Sequence, residues 1–190
     1  VKNNVEFSGK KQKILMGPNR GGKTTLVQAI GLNIILAQLG LFAAGNNIVM
    51  SSFDSVFTLF QNNEKCNREG RFSHEARLLK EIYNRASLKS FILLNEIFTS
   101  TSPTEGLYLL AETVLILNEI GCAGLIVTHY HRLYDYLSKH LNDKEIKNRI
   151  DFISFGVSGQ NGVRSYKLEN GPGEGNSHAI DIVKLYAQNL

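Results

Sequence analysis

Short apolar runs and helix-spaced apolar positions take turns along this chain, and their order predicts its elements. Val5 and Phe7, then Ile14-Leu15-Met16, read as two strands joined by the polar turn Ser8-Gly9-Lys10-Lys11. From Thr24 to Leu39 the residues Leu26, Ala29, Ile30, Ile34 and Ala37 recur at helical spacing, and Gly40 stands where a C-terminal cap glycine belongs. The stretch from Ile48 to Phe60 is rich in β-branched and aromatic residues and predicts a strand. Gln61 to Arg71 is polar, charged and aperiodic, which predicts an exposed loop.

The second half repeats the scheme. Ser73 to Ala86 carries Ala76, Leu79, Ile82 and Tyr83 at helical spacing, with Glu75 near its start and Arg85 near its end, the signs a helix dipole favours. The apolar run Phe91 to Leu94 ends in Asn95-Glu96, as a central parallel strand does when it delivers polar residues to its C-terminal edge. Ser102, Pro103 and Glu105 together form an N-terminal cap signal, and the helix they open runs to Gly121. Leu125 to Thr128 reads as another strand, ending in His129-Tyr130-His131, and Leu133 to Leu141 as a short helix. Strand followed by helix, repeated, predicts a mostly parallel α/β sheet flanked by helices. Ile150 to Val157 and Val163 to Leu168 flank Gln160-Asn161-Gly162, a hairpin signal, and a glycine-rich link from Gly171 to Gly175 leads to a last helix capped by Asn176 or Ser177. Antiparallel strands are thus expected at both the N-terminus and the C-terminal hairpin.

Composition narrows this picture only a little. The 190 residues suit one domain, and no apolar run approaches the ~18 residues of a membrane span. The chain opens on Val1-Lys2 with no Met and no hydrophobic leader, so residues 1–190 are expected to be a single domain cut from a longer protein. Cys66 and Cys122 offer neither a metal-type spacing nor a disulfide framework, which fits a reducing, cytoplasmic setting. A net charge of +4 permits an anionic partner without identifying one.

The chemistry gathers in the glycine-rich stretch after the Ile14-Leu15-Met16 strand. Gly17, Gly22, Lys23 and Thr24 satisfy G-x-x-x-x-G-K-[ST], a P-loop pattern, between a predicted strand and a predicted helix. The whole segment Gly17-Pro18-Asn19-Arg20-Gly21-Gly22-Lys23-Thr24-Thr25 would turn its amides toward phosphate oxygens at a helix N-terminus. Lys23 would add a mobile charge at the β- and γ-phosphates, and the Thr24 hydroxyl one ligand for Mg²⁺. Hydrolysis needs two further groups at a neighbouring strand edge, and Asn95-Glu96 supplies a pair: Asn95 to hold a metal-bound water through its amide oxygen, Glu96 as base. Asn95 brings no negative charge, so Mg²⁺ should be held weakly. His129 ends a third strand at the same edge and could reach the γ-phosphate.

These motifs carry a resemblance. Gly17 to Thr25, Leu36-Ala37-Gln38-Leu39-Gly40, Leu93 to Ile97 through Thr101-Ser102 to Glu105-Gly106, and Val127 to Leu133 are similar in order and spacing to the ATPase domain of the MutS DNA mismatch-repair family. Ser165 to Leu168 and Ser177 to Ile180 resemble that domain's closing strand and helix, so the likeness covers nearly the whole chain. It implies an ABC-class ATPase core that uses ATP and Mg²⁺ and works as a homodimer with both nucleotide sites at the subunit interface. It also implies that regions contacting DNA lie before Val1 and dimerising helices after Leu190, and no membrane is involved. Three departures stand out: Asn95 replaces the usual Asp, Phe98-Thr99-Ser100 replaces a glycine-rich turn, and Gly70-Arg71-Phe72-Ser73-His74-Glu75 replaces a serine-led signature. In the family's arrangement Gly70 to Ser73 would approach the partner's γ-phosphate, with Arg71 adding charge there. Asn95 and the altered signature also suit a second reading, a nucleotide-binding dimerisation switch with little turnover. An SMC-type head would need long heptad arms, which the chain lacks.

Overall fold

The computed structural model describes residues 1–7, 12–17, 21–60, 70–141, 148–158 and 163–173. Strands β1 (Gln12–Met16), β2 (Ser55–Phe60), β3 (Ser90–Asn95), β4 (Ala123–Val127), β5 (Ile150–Ser158) and β6 (Val163–Asn170) form one sheet in the order β2-β3-β4-β1-β5-β6. The helices are α1 (Lys23–Gln38), α2 (Arg71–Arg85), α3 (Pro103–Ile120) and α4 (Leu133–His140). All pairings are parallel except β5 with β6.

Alternation along the strands divides the core in two. Ile14, Met16, Ile92, Leu94 and Ile126 pack with Leu79, Ile82, Leu110, Val114, Leu117, Leu133 and Leu137 of α2, α3 and α4 on one face. Leu15, Phe91, Leu93, Leu125 and Val127 pack with Val27 and Ile34 of α1 on the other. Both faces of the central strands are covered, which is why they read as unbroken apolar runs rather than as alternating ones.

Several boundaries and one topological expectation differ from the sequence reading. Residues 1–7 are not a strand, and β1 has parallel neighbours on both sides, so among the described residues the antiparallel pair lies only at the C-terminal hairpin, not at the N-terminus. The segment is held by side chains instead: Phe7 meets Phe91 edge-on at 4.9 Å, while the Asn3 amide donates to the Tyr166 carbonyl and its oxygen accepts from the Leu168 amide, both at 2.9 Å. β2 begins at Ser55 rather than Ile48, because its parallel partner, Ser90–Asn95, offers a ladder only from Ser55 onward. The buried line of α1 runs through Lys23, Val27, Gly31 and Ile34, leaving Ala29 exposed, since Gly31 lets the helix approach Leu93 closely. α2 starts at Arg71, and Glu75 lies past its first turn, where it is buried and does not serve the dipole.

Other local signals hold. The Gly40 amide donates to the Ala37 carbonyl and the Leu41 amide to the Leu36 carbonyl, a Schellman ending for α1 with Gly40 at φ 71°. At α3 the Glu105 amide donates to Ser102 Oγ at 3.3 Å. The Glu105 carboxylate accepts from Thr101 and Ser102 hydroxyls, which hold its pKa below the usual range. The Asn161-Gly162 turn, the loop 61–69 and the last helix lie outside the described residues. No helix among the described residues is long and apolar enough to cross a membrane.

Candidate functional site

Parallel strands bring their C-terminal ends to one edge, and the strand order puts β1, β3 and β4 side by side there. Leu15 and Asn95 both stand level with Val127. The ladder continues one residue beyond the strands: the Thr128 amide donates to the Leu15 carbonyl at 3.1 Å and the Glu96 amide to the Val127 carbonyl at 2.9 Å. Gly17, Glu96 and His129 therefore leave the sheet next to one another.

Backbone conformation explains the glycines. Gly17 has φ 136° and Gly22, which caps α1, has φ 90°, both positive values that side-chain-bearing residues rarely adopt. A Cβ at Gly17 would also stand 3.4 Å from the Phe155 amide nitrogen on β5. Pro18, Asn19 and Arg20 lie outside the described residues. Lys23 opens α1, and its side chain is only 3% exposed. Its Nζ donates to the Gly17 carbonyl at 2.9 Å and lies 3.5 Å from Glu96 Oε1. The lysine thus reaches back to Gly17 and across to the carboxylate after β3.

The surroundings of this pair are polar and open. Gly21, Gly22, Lys23, Thr24, Thr25, Glu96 and Tyr166 line a cleft of about 480 Å³, a size that admits a small-molecule ligand. Thr24 and Thr25 face solvent on the first turn of α1. Asn95 is buried one position before Glu96, and among the described residues its Oδ1 has no hydrogen-bond partner. Burial lowers the pKa of His129; Glu96 acts the other way and Lys23 reinforces burial. A neutral imidazole follows at neutral pH. His131 is lowered too, by burial, then by His129 and Lys23. Among the described residues no three His, Cys, Asp or Glu side chains gather to hold a metal ion.

The structure therefore brings together Gly17, Gly21, Gly22, Lys23, Thr24, Thr25 and Glu96, and sets His129 close enough to feel the charges of Lys23 and Glu96; Asn95 is buried at the end of β3 and does not line the cleft. Tyr166 also lines the cleft, and no motif in the sequence marks it as a site residue. It stands on β6 with φ 52°, its ring 3.5 Å from where a Cβ on Gly22 would be. Its place depends on β6 folding back on β5, a pairing between distant residues that a single aromatic in a strand-like run does not announce.

A mixed sheet with a glycine turn, a buried lysine opening the next helix and a carboxylate from a nearby strand is consistent with a P-loop-type fold. Residues 13–188 match the family model described as MutS domain V. The chain is 31% identical over 189 residues to the DNA mismatch repair protein MutS of Fusobacterium nucleatum, covering 97% of this chain and 20% of that protein. It is 30% identical over 188 residues to MutS of Prochlorococcus marinus, with 97% and 20% covered. Against the probable DNA mismatch repair protein Msh6 of Drosophila melanogaster it is 34% identical over 134 residues, 70% of this chain and 11% of that protein. The chain belongs to the MutS family of DNA mismatch-repair proteins, as a divergent domain V, the ATPase-like region. It spans about a fifth of the length of the relatives it matches over its full extent.

Proposed function

We propose that the chain is the ATP-binding and Mg²⁺-dependent ATP-hydrolysing domain of a MutS-like protein acting on DNA, and that it works as a dimer with composite nucleotide sites. The observation that carries this reading is the Lys23 ammonium held between the Gly17 carbonyl and the Glu96 carboxylate at the N-terminus of α1. A triphosphate entering the cleft would take over Lys23, releasing the carboxylate to a water. The amides of Gly21 and Gly22 and of the start of α1 supply positive dipoles for the phosphate oxygens. Glu96 then accepts a proton from the attacking water, and neutral His129 donates a hydrogen bond near the γ-phosphate. The Thr24 hydroxyl and a water on Asn95 Oδ1, which has no hydrogen-bond partner among the described residues, would hold Mg²⁺, and the fit is that of a neutral, weakly binding donor pair. The ion, when bound, neutralises phosphate charge and fixes phosphate geometry. The Tyr166 ring offers a flat apolar face beside the phosphate turn, suited to the base or ribose.

DNA contact and the remaining dimer surface belong, on this reading, to the larger protein of which residues 1–190 are one domain. The test is ATP hydrolysis with Mg²⁺ by the wild-type protein beside Glu96→Gln, with ATP binding followed separately. Asn95 specifically favours the second reading, a dimerisation switch with little turnover, because an amide in place of a carboxylate weakens the hold on the cation. Negligible hydrolysis by both proteins while ATP still binds would select the switch.

A further inference from the structure

The loop that carries Glu96 is gripped two residues further on. Phe98 has φ 62° and Glu96 φ 54°, left-handed values that a bulky side chain makes strained. Such a turn persists only if its surroundings hold it. The Phe98 amide donates to Glu75 Oε2 of α2 at 2.8 Å, and the Phe98 carbonyl accepts from the Tyr130 hydroxyl, beyond β4, at 2.8 Å. Gly106 of α3 leaves the room: a Cβ there would overlap Tyr130 Oη and stand 2.8 Å from the Phe98 carbonyl oxygen. The Phe98 ring is buried, with the Phe72 ring at 6.2 Å. Glu75 is 5% exposed, and Arg71 Nε lies 3.4 Å from its other oxygen. A carboxylate this deep is costly to keep unless it holds something in place.

We propose that Glu75 and Tyr130 are positioning residues for Glu96: by holding the Phe98 peptide groups from α2 and from the end of β4, they fix the left-handed turn that presents the Glu96 carboxylate to Lys23. The inference rests on the ATPase reading for its catalytic consequence. Its structural content, a turn held by two side chains, stands apart from turnover. In a turn of glycines the same backbone would be unstrained and would need no such clamp. Here Phe98-Thr99-Ser100 occupies the turn, and the clamp takes the place of glycine's freedom.

Four variants in the full-length protein test it. Tyr130→Phe removes only a hydroxyl, Gly106→Ala intrudes on the same bond from α3, Glu75→Leu removes the acceptor, and Glu75→Gln keeps an acceptor oxygen. The first three should each lower kcat about tenfold or more, since small displacements of a reacting group cost that much, with ATP Kd within about twofold of wild type. Hydrogen exchange across residues 96–99 should rise about tenfold while α1 exchanges as before, and Glu75→Gln should stay within about threefold of wild type in both readouts. Unchanged exchange at 96–99 in Tyr130→Phe and Gly106→Ala would overturn the proposal, as would faster exchange there with kcat unchanged. Parallel loss of ATP binding and faster exchange throughout α1 and β1 would mark a merely structural role and overturn it equally. A wild-type protein with no Glu96-dependent turnover would sink the ATPase reading instead, and the exchange result would then decide the clamp by itself.

Discussion

Lys23 Nζ lies 3.5 Å from Glu96 Oε1, a contact that joins the first helix to the end of the third strand inside a polar cleft. The lysine is almost fully buried, so its charge is poorly screened and its partners matter. Replacing it with methionine keeps the stem and removes the ammonium. Charge-assisted hydrogen bonds are worth about 1.5–3 kcal/mol each. Lys23→Met should therefore weaken ATP binding by roughly 10- to 150-fold, read by titration with a fluorescent nucleotide. Retained affinity would place the phosphates elsewhere.

Asn95 invites the opposite kind of change. Asn95→Asp adds a negative charge beside Glu96, in a residue only 6% exposed. Without nucleotide and metal a buried carboxylate is penalised, so the melting temperature of the nucleotide-free protein should fall. With ATP present, the Mg²⁺ concentration for half-maximal effect should fall on the order of tenfold, because the added charge acts directly on the cation. Thermal melts with and without Mg²⁺ and nucleotide read both effects. A melting temperature and a Mg²⁺ requirement both equal to wild type would remove Asn95 from the metal's surroundings.

His129 sets a pH dependence. Burial lowers its folded pKa below the ordinary value of about 6.5. Below that value the unfolded chain binds the proton more readily than the folded one, so stability rises with pH. The neutral-histidine contribution is full above about pH 6.5 and is lost as pH falls from there toward the lower folded pKa. His131, lowered in the same direction, adds to the slope. Urea unfolding between pH 7.5 and 5.5 should show the loss, and His129→Gln should flatten part of it. A wild-type stability independent of pH over that range would contradict the burial of these rings.

Tyr166 separates binding from chemistry. Stacking of an aromatic ring on a base is worth about 1–3 kcal/mol. Tyr166→Ala should raise the ATP Kd by about 5- to 150-fold and leave kcat at saturating ATP within about threefold. An affinity unchanged from wild type would leave the ring as part of the cleft wall only.

Much of this fold is legible in the residues, where the signal is local. Phe91 to Leu94 is apolar throughout because α1 covers one face and α2 and α3 the other, and that pattern predicts a central strand without any knowledge of its neighbours. Ser102 with Glu105 and Gly40 after α1 are likewise readable, since caps act within a few residues. The rest depends on distant partners. Val5 and Phe7 look strand-like, yet β1 is already paired on both edges and Phe7 spends its ring on Phe91. The buried face of α1 is weakly marked in the sequence because Leu32 and Ile35 are apolar yet exposed, so its periodicity points weakly in any direction. In the site, Gly17, Lys23 and Glu96 follow from a motif and a strand end. Tyr166 reaches the cleft through a hairpin, and Glu75 and Tyr130 meet at Phe98 only because α2 and the end of β4 converge there.

The central claim is that Glu96 activates water for cleavage of ATP held by Lys23 and the turn around it. Steady-state hydrolysis with Mg²⁺ by wild type and by Glu96→Gln, with ATP affinity measured on both, tests it most directly. A general base contributes about 10²- to 10⁴-fold, so Glu96→Gln should turn over slower by that factor while binding ATP as tightly as wild type or tighter. Measurable hydrolysis at equal rates in the two proteins would contradict the account.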